Sequence, residues 1–143
     1  MKIILIGLLS LFLLQACAPT YRCGYDRNKG YYTSCQASGK GEKMAKGTQF
    51  SGKISFYGDG FDGKQTASGE TFDASDLTCA HRTLAFGTRL KVTLNSSQKS
   101  VVVRVNDRGP FKEERIVDLS EEAASQIELI SKGVDFATIE VLE

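Results

Sequence analysis

Val101-Val102-Val103-Arg104-Val105-Asn106-Asp107-Arg108-Gly109-Pro110-Phe111 is the stretch on which the fold of this chain turns. Val101, Val103 and Val105 recur at every second position, the period of a strand with one buried face. The Gly109-Pro110 pair forces a turn, so Asp107 is placed at a strand end, a common position for working side chains. Upstream, Asn95-Ser96-Ser97-Gln98-Lys99 is a polar turn, and Arg89–Leu94 alternates again, with Leu90, Val92 and Leu94 on one face. The two segments are expected to pair as a hairpin. Downstream, Ile116–Leu119 is a short extended piece, and Ser120 is expected to cap a helix whose first turn carries Glu121 and Glu122, where the macrodipole favours anions. Ala123, Ile127 and Ile130 follow at helical spacing, and Gly133 suits the C′ position. Val134–Leu142 reads as a last strand and Gly52–Tyr57 as a first one. Several short strands with one helix point to a mainly β protein, a small closed β-barrel, because closure leaves no exposed edge.

The chain has 143 residues, with 18 Lys and Arg against 17 Asp and Glu. That near-neutral balance gives no support for nucleic acid as a partner, since such binding relies on clustered positive charge. The apolar fraction of 41% is too high for a wholly disordered chain. At the start, Met1 and Lys2 precede an apolar run, Ile3 to Leu14, broken only by Gly7 and Ser10. It is too short to cross a hydrocarbon core of about 30 Å as a stable anchor, and it is the right length for a secretory leader. The run ends in Leu14-Gln15-Ala16-Cys17, which resembles a bacterial lipobox. That resemblance implies a signal peptide over 1–16, cleavage before Cys17, and acyl chains on its sulfur and new amine. Each buried CH₂ adds about 0.8 kcal/mol to membrane affinity. Ala18 rather than Asp after the cysteine implies the outer membrane.

Residues 17–49 read as a lipidated tether rich in Gly, Lys and Tyr. From Ala18 to Gln49 there are six basic and two acidic residues and almost no aliphatic ones, so little apolar area is available to offset chain entropy. Residues 50–143 carry 11 basic and 15 acidic residues and hold the expected barrel domain. In an oxidising compartment Cys23 and Cys35 suit a local disulfide, worth roughly 3 kcal/mol in the loop-entropy model, with Cys79 left unpaired.

Polar residues crowd the loops. Gly58-Asp59-Gly60-Phe61-Asp62-Gly63 is glycine-rich, Thr66-Ala67-Ser68-Gly69-Glu70-Thr71-Phe72 follows, and Leu77–Leu84 holds His81, the single histidine. Zinc chemistry wants several His ligands and finds one, so no metal site is expected. Cys79 and His81 stand two apart, as a thiol nucleophile and its base might on a strand face, but no third orienting group is apparent. There is no nucleophile elbow and no phosphate loop.

Gly52–Gly58, Thr66–Asp73, Ala80–Leu84, Val101–Phe111 and Arg115–Ser120, in this order and spacing, resemble the rare lipoprotein A (RlpA) family over nearly all of 50–143. The resemblance implies a six-stranded double-psi β-barrel in a periplasmic lipoprotein, lipid-anchored to the outer membrane or the cell membrane and monomeric, with peptidoglycan glycan strands as its partner and no cofactor. It implies an endolytic lytic transglycosylase that cleaves between N-acetylmuramic acid and N-acetylglucosamine and leaves 1,6-anhydromuramic ends. It carries the catalytic set onto Asp107, Glu70 and His81. Such a reaction needs one group to protonate the leaving oxygen and then serve as base. Asp107 is assigned that part. Glu70 is assigned a like charge beside it or support of the oxocarbenium-like transition state, and His81 its orientation or a bond to a sugar oxygen. Tyr57 and Phe61 offer flat faces for sugar rings, and Arg108 a grip on a lactyl carboxylate. Arg115 and Asp118, close to the helix start, are read as structural. Asp107 alone would equally serve as a turn-former, and the alternative function is a non-catalytic peptidoglycan-binding lipoprotein. Two departures stand out. Ala85 replaces a proline frequent in the family, which implies a looser histidine loop. With the sequence ending at Glu143, the SPOR domain of many relatives is expected to be absent.

Overall fold

The computed structural model describes residues 22–26, 31–36, 41–58 and 60–143. The expected leader 1–16 and Cys17 lie outside them. In chain order the elements are β1 (Arg22–Asp26), β2 (Tyr31–Gln36), β3 (Gln49–Phe56), β4 (Thr78–His81), β5 (Arg89–Leu94), β6 (Ser100–Asp107), β7 (Arg115–Leu119), α1 (Glu121–Gln126) and β8 (Asp135–Val141). Six strands close into a barrel in the order β3-β7-β4-β6-β5-β8, with β8 returning antiparallel to β3. The β3/β7 and β4/β6 neighbours are parallel, and the rest are antiparallel.

Alternation fills the interior. Leu90, Val92 and Leu94 of β5, Val101, Val103 and Val105 of β6, and Ala137, Ile139 and Val141 of β8 are all buried. Ile54, Cys79, Val117 and Leu119 complete the layer from the remaining strands. The β5–β6 hairpin pairs as the sequence indicates, Leu90 opposite Val103 and Val92 opposite Val101. The histidine segment, read from composition as loop, is instead β4, wedged between β6 and β7. Four residues flanked by polar turns carry too short a pattern to announce a strand.

The helix is shorter than its spacing suggests. The Ser120 side chain accepts from the Ala123 N–H, as a cap should, but the helix stops at Gln126 and Glu128 takes φ 64°. That left-handed residue reverses the chain so that Ile127 and Leu129 are both buried while Ile130 is 40% exposed. A continued helix could not bury both i and i+2 on one face.

Within 17–49, where composition suggested a tether, β1 and β2 pair antiparallel and the register sets Cys23 opposite Cys35. Residues 41–49 lie on the barrel. Glu42 exchanges backbone hydrogen bonds with the β4–β5 connection, its N–H reaching Thr83 O at 2.7 Å and its carbonyl taking the Ala85 N–H at 2.9 Å. Gly41 is required there, because a Cβ would stand 2.6 Å from Ala85 Cα. Met44 packs against the core. The Ala85 N–H is a bond that proline has no hydrogen to make, so this loop is tied down rather than loosened.

Candidate active site

Asp107 closes β6, and a bulge sets its direction. Cys79 of β4 pairs with Val105, but Ala80 pairs with Asp107, so Asn106 is an extra residue in β6. Simple alternation after Val105 would send Asp107 into the barrel. The bulge turns it out to the face that carries Ala80. There the carboxylate is held by three donors from three segments. Oδ1 accepts from Ala67 N and Arg108 N, both at 2.8 Å, and Oδ2 accepts from the Tyr57 hydroxyl at 2.8 Å.

Tyr57 leaves the end of β3, its N–H bonded to Leu119 O at 3.0 Å. Its ring packs on Phe72 and Phe61 at 4.7 and 5.4 Å between centroids. Burial, followed by the Asp107 charge and hydrogen bond, raises its pKa far above the ordinary tyrosine value, so it stays a hydroxyl donor. Tyr57 is therefore a support for Asp107 rather than an open sugar platform. Phe61, 42% exposed, keeps that possibility. Tyr57 and Phe72 also line a depression of about 120 Å³, with Asp62 and Glu121 at its edge.

His81 follows the residue paired with Asp107, but the two side chains make no hydrogen bond. Nδ1 accepts from the backbone N–H groups of Thr83 and Leu84 at 3.2 and 3.0 Å, which puts the ring proton on Nε2. The ring meets Phe50 edge-on at 5.8 Å. Burial, then the Arg108 charge, pushes its pKa down to about 4. At neutral pH it is an uncharged imidazole that pins the turn after β4 and has one N–H to offer.

Arg108 is 6% exposed. Its guanidinium lies 3.7 Å from the Phe86 ring centroid, and Nη1 donates to His81 O at 3.3 Å. It braces the loop rather than standing open for a carboxylate. Glu70 reaches Asn106, the neighbour of Asp107, but makes no hydrogen bond to Asp107 itself. Arg104 grips it with two hydrogen bonds at 2.8 and 3.0 Å, and Asn106 Nδ2 donates to it at 3.1 Å. The Arg104 bonds, with that of Asn106, hold its pKa below the usual glutamate range. Its part is to clamp the loop that presents the Ala67 N–H, aided by a Ser68 N–H to Asn106 O bond of 3.2 Å. Among the described residues no group of three His, Cys, Asp or Glu could hold a metal ion.

The family model described as lytic transglycolase matches residues 49–137. The endolytic peptidoglycan transglycosylase RlpA of Campylobacter jejuni is 50% identical over 99 residues, 69% of this chain and 36% of that one. That of Rickettsia felis is 35% identical over 165 residues, 99% of this chain and 72% of that one. This chain belongs to the RlpA family. It spans about a third of the length of the Campylobacter relative. The Streptomyces papain inhibitor superposes with a TM-score of 0.57 at 22% identity, over 71% of this chain and all of that one, a likeness of fold. The barrel is thus the double-psi barrel of RlpA proteins.

One residue on this RlpA barrel has a place that the sequence did not disclose. Asp118 of β7 lies opposite Ser55 of β3 on one side and Ala80 of β4 on the other. The Ser55 hydroxyl donates to Oδ1 at 2.6 Å, and Arg115 Nη2 donates to Oδ2 at 3.2 Å. Its side chain is 13% exposed. Burial raises its pKa, against the lowering effects of Ser55 and Arg115. The available signal was a lone acid between Val117 and Leu119, two residues that both face the core.

Proposed function

We propose that this chain is an endolytic lytic transglycosylase of peptidoglycan glycan strands, with Asp107 as its acid and base. The observation that carries the reading is the three-point hold on the Asp107 carboxyl, by Tyr57 Oη, Ala67 N and Arg108 N. Fixed donors from separate segments supply the orientation that intramolecular chemistry needs. Oδ1 already takes two backbone N–H groups, so Oδ2, on the Tyr57 hydroxyl, is the oxygen through which a proton is passed. Asp107 passes that proton to the glycosidic oxygen as the bond to muramic C1 breaks. The C6 hydroxyl oxygen of the same sugar then bonds to C1 and yields its proton to Asp107. The site returns to its starting state without water, and the product carries a 1,6-anhydro ring. Tyr57 and Glu70 act as positioning residues for the acid, His81 supports the β4–β5 turn and offers its Nε2–H, and the exposed rings of Phe61 and Phe111 are stacking surfaces for sugars.

In this reading residues 1–16 are a leader, Cys17 is acylated at the outer membrane, 17–49 lead to the barrel through a Cys23–Cys35 disulfide, and the protein works in the periplasm as a monomer. The lipobox residues and the Cys23/Cys35 register support it.

The test is digestion of peptide-free glycan strands with the purified full chain, read by mass spectrometry for anhydromuramic ends. Wild type should produce them, and Asp107→Asn should abolish them while keeping the fold. Sacculus binding with no anhydro product would instead establish the non-catalytic binding role.

A further inference from the structure

Asp107 does not stand alone on its face of the barrel. Asp107, Ala80 and Asp118 are register partners across β6, β4 and β7. Directly opposed residues share a face of a sheet, and neighbouring strands are about 4.8 Å apart, so the two aspartates flank the small Ala80 side chain with Cα atoms about 10 Å apart. Ser55 extends the row onto β3. Both carboxyls bear on one group, since the Tyr57 hydroxyl feels the charge of Asp107 and of Asp118. Glu70, by contrast, is spent on the Arg104 fork.

We propose that Asp118 is the second catalytic carboxyl of this site, facing the glycan across Ala80 from Asp107 and stabilising the positive charge that develops at muramic C1 as the glycosidic bond breaks. The inference rests on the transglycosylase reading and deepens it. It gives Asp118 the transition-state part that the sequence had offered to Glu70. The Ser55 hydroxyl, at 2.6 Å, sets the direction of Oδ1 before substrate arrives. Preorganised charge of this kind acts where charge develops and costs no rearrangement at the moment of reaction. The cations that bear on Asp118 are Arg115 on its own strand, Lys112 from the β6–β7 turn and Arg82 after β4. The Arg82 side chain is occupied with the carbonyls of Pro110, Lys112, Glu113 and Arg115, and Arg115 reaches only Oδ2.

The test compares the full wild-type chain with Asp118→Asn and Ser55→Ala on peptide-free glycan strands, reading kcat and KM for anhydromuramic ends and the urea midpoint of each protein. Asp118→Asn should lower kcat by about 100-fold or more, the scale of losing one preorganised charge partner, with KM held within about threefold. Ser55→Ala keeps the carboxyl but frees its direction, and should lower kcat by about tenfold. An active wild type with Asp118→Asn retaining more than about a third of its kcat overturns the proposal and leaves the transglycosylase reading standing. If Asp118→Asn does not fold, Ser55→Ala decides, and an unchanged kcat there overturns it. A wild type that binds sacculi without forming anhydro ends refutes the underlying reading, and this proposal with it.

Discussion

His81 should make this barrel lose stability in mild acid, and the size of the effect follows from its surroundings. Its folded pKa is pushed down from 6.5 to about 4 by burial and by Arg108. In the unfolded chain the imidazole titrates at its ordinary value. Below that value the unfolded state binds a proton that the folded state refuses, so stability falls as pH drops and is regained as pH rises. The whole displacement corresponds to about 3 kcal/mol. Roughly 2 kcal/mol of it should be lost between about pH 7 and about pH 4.5. His81→Asn removes the titration while keeping an acceptor near Nδ1 for the Thr83 and Leu84 N–H groups. Urea unfolding followed by circular dichroism across that range gives the comparison. Wild type should weaken relative to His81→Asn by roughly 2 kcal/mol. The carboxylates of Glu70, Asp73, Glu114 and Asp135, all held below their ordinary range, lose their own contributions at lower pH in both proteins and subtract out. Two proteins losing stability in parallel would show that His81 titrates normally in the fold, and would refute its withdrawal from water beside Arg108.

Glu70→Gln should cost less than about 1 kcal/mol in urea unfolding, because the Arg104 pair is solvent-screened. Its kcat on glycan should fall no more than about fivefold, as expected of a loop clamp, and complete inactivation would return Glu70 to the chemistry. Cys79 is fully buried, and burial raises its thiol pKa well above the ordinary range. It should resist iodoacetamide in the native protein and take one label in denaturant without reductant, by intact mass. With Cys17 acylated, three labels instead of one would show that the Cys23–Cys35 disulfide is absent.

The class of fold was legible in the sequence because it follows from local pattern. Leu90/Val92/Leu94 and Val101/Val103/Val105 bury the residues that alternation marks, and Ser120 caps α1 as its residue type and neighbours require. Each depends on a side chain and the few residues around it. The length of α1 was not legible, because Ile127 and Ile130 fit a helical stripe equally well, and the burial of Leu129 decided against it. Nor was the docking of Glu42, since a polar, glycine-rich segment shows no hydrophobic period even when its backbone finds partners on Thr83 and Ala85.

The sequence by itself determined a barrel of alternating strands and an acid at the end of the valine strand. Tertiary structure decided which way that acid points and what stands beside it. The Asn106 bulge exists only in relation to Cys79 and Ala80 on the facing strand. Asp118 comes opposite Ala80 only once β7 has paired with β4. His81 becomes a neutral acceptor only where the folded chain withdraws it from water. Burial pattern is written along one segment, whereas register, bulges and proton affinities are set by the segments it meets.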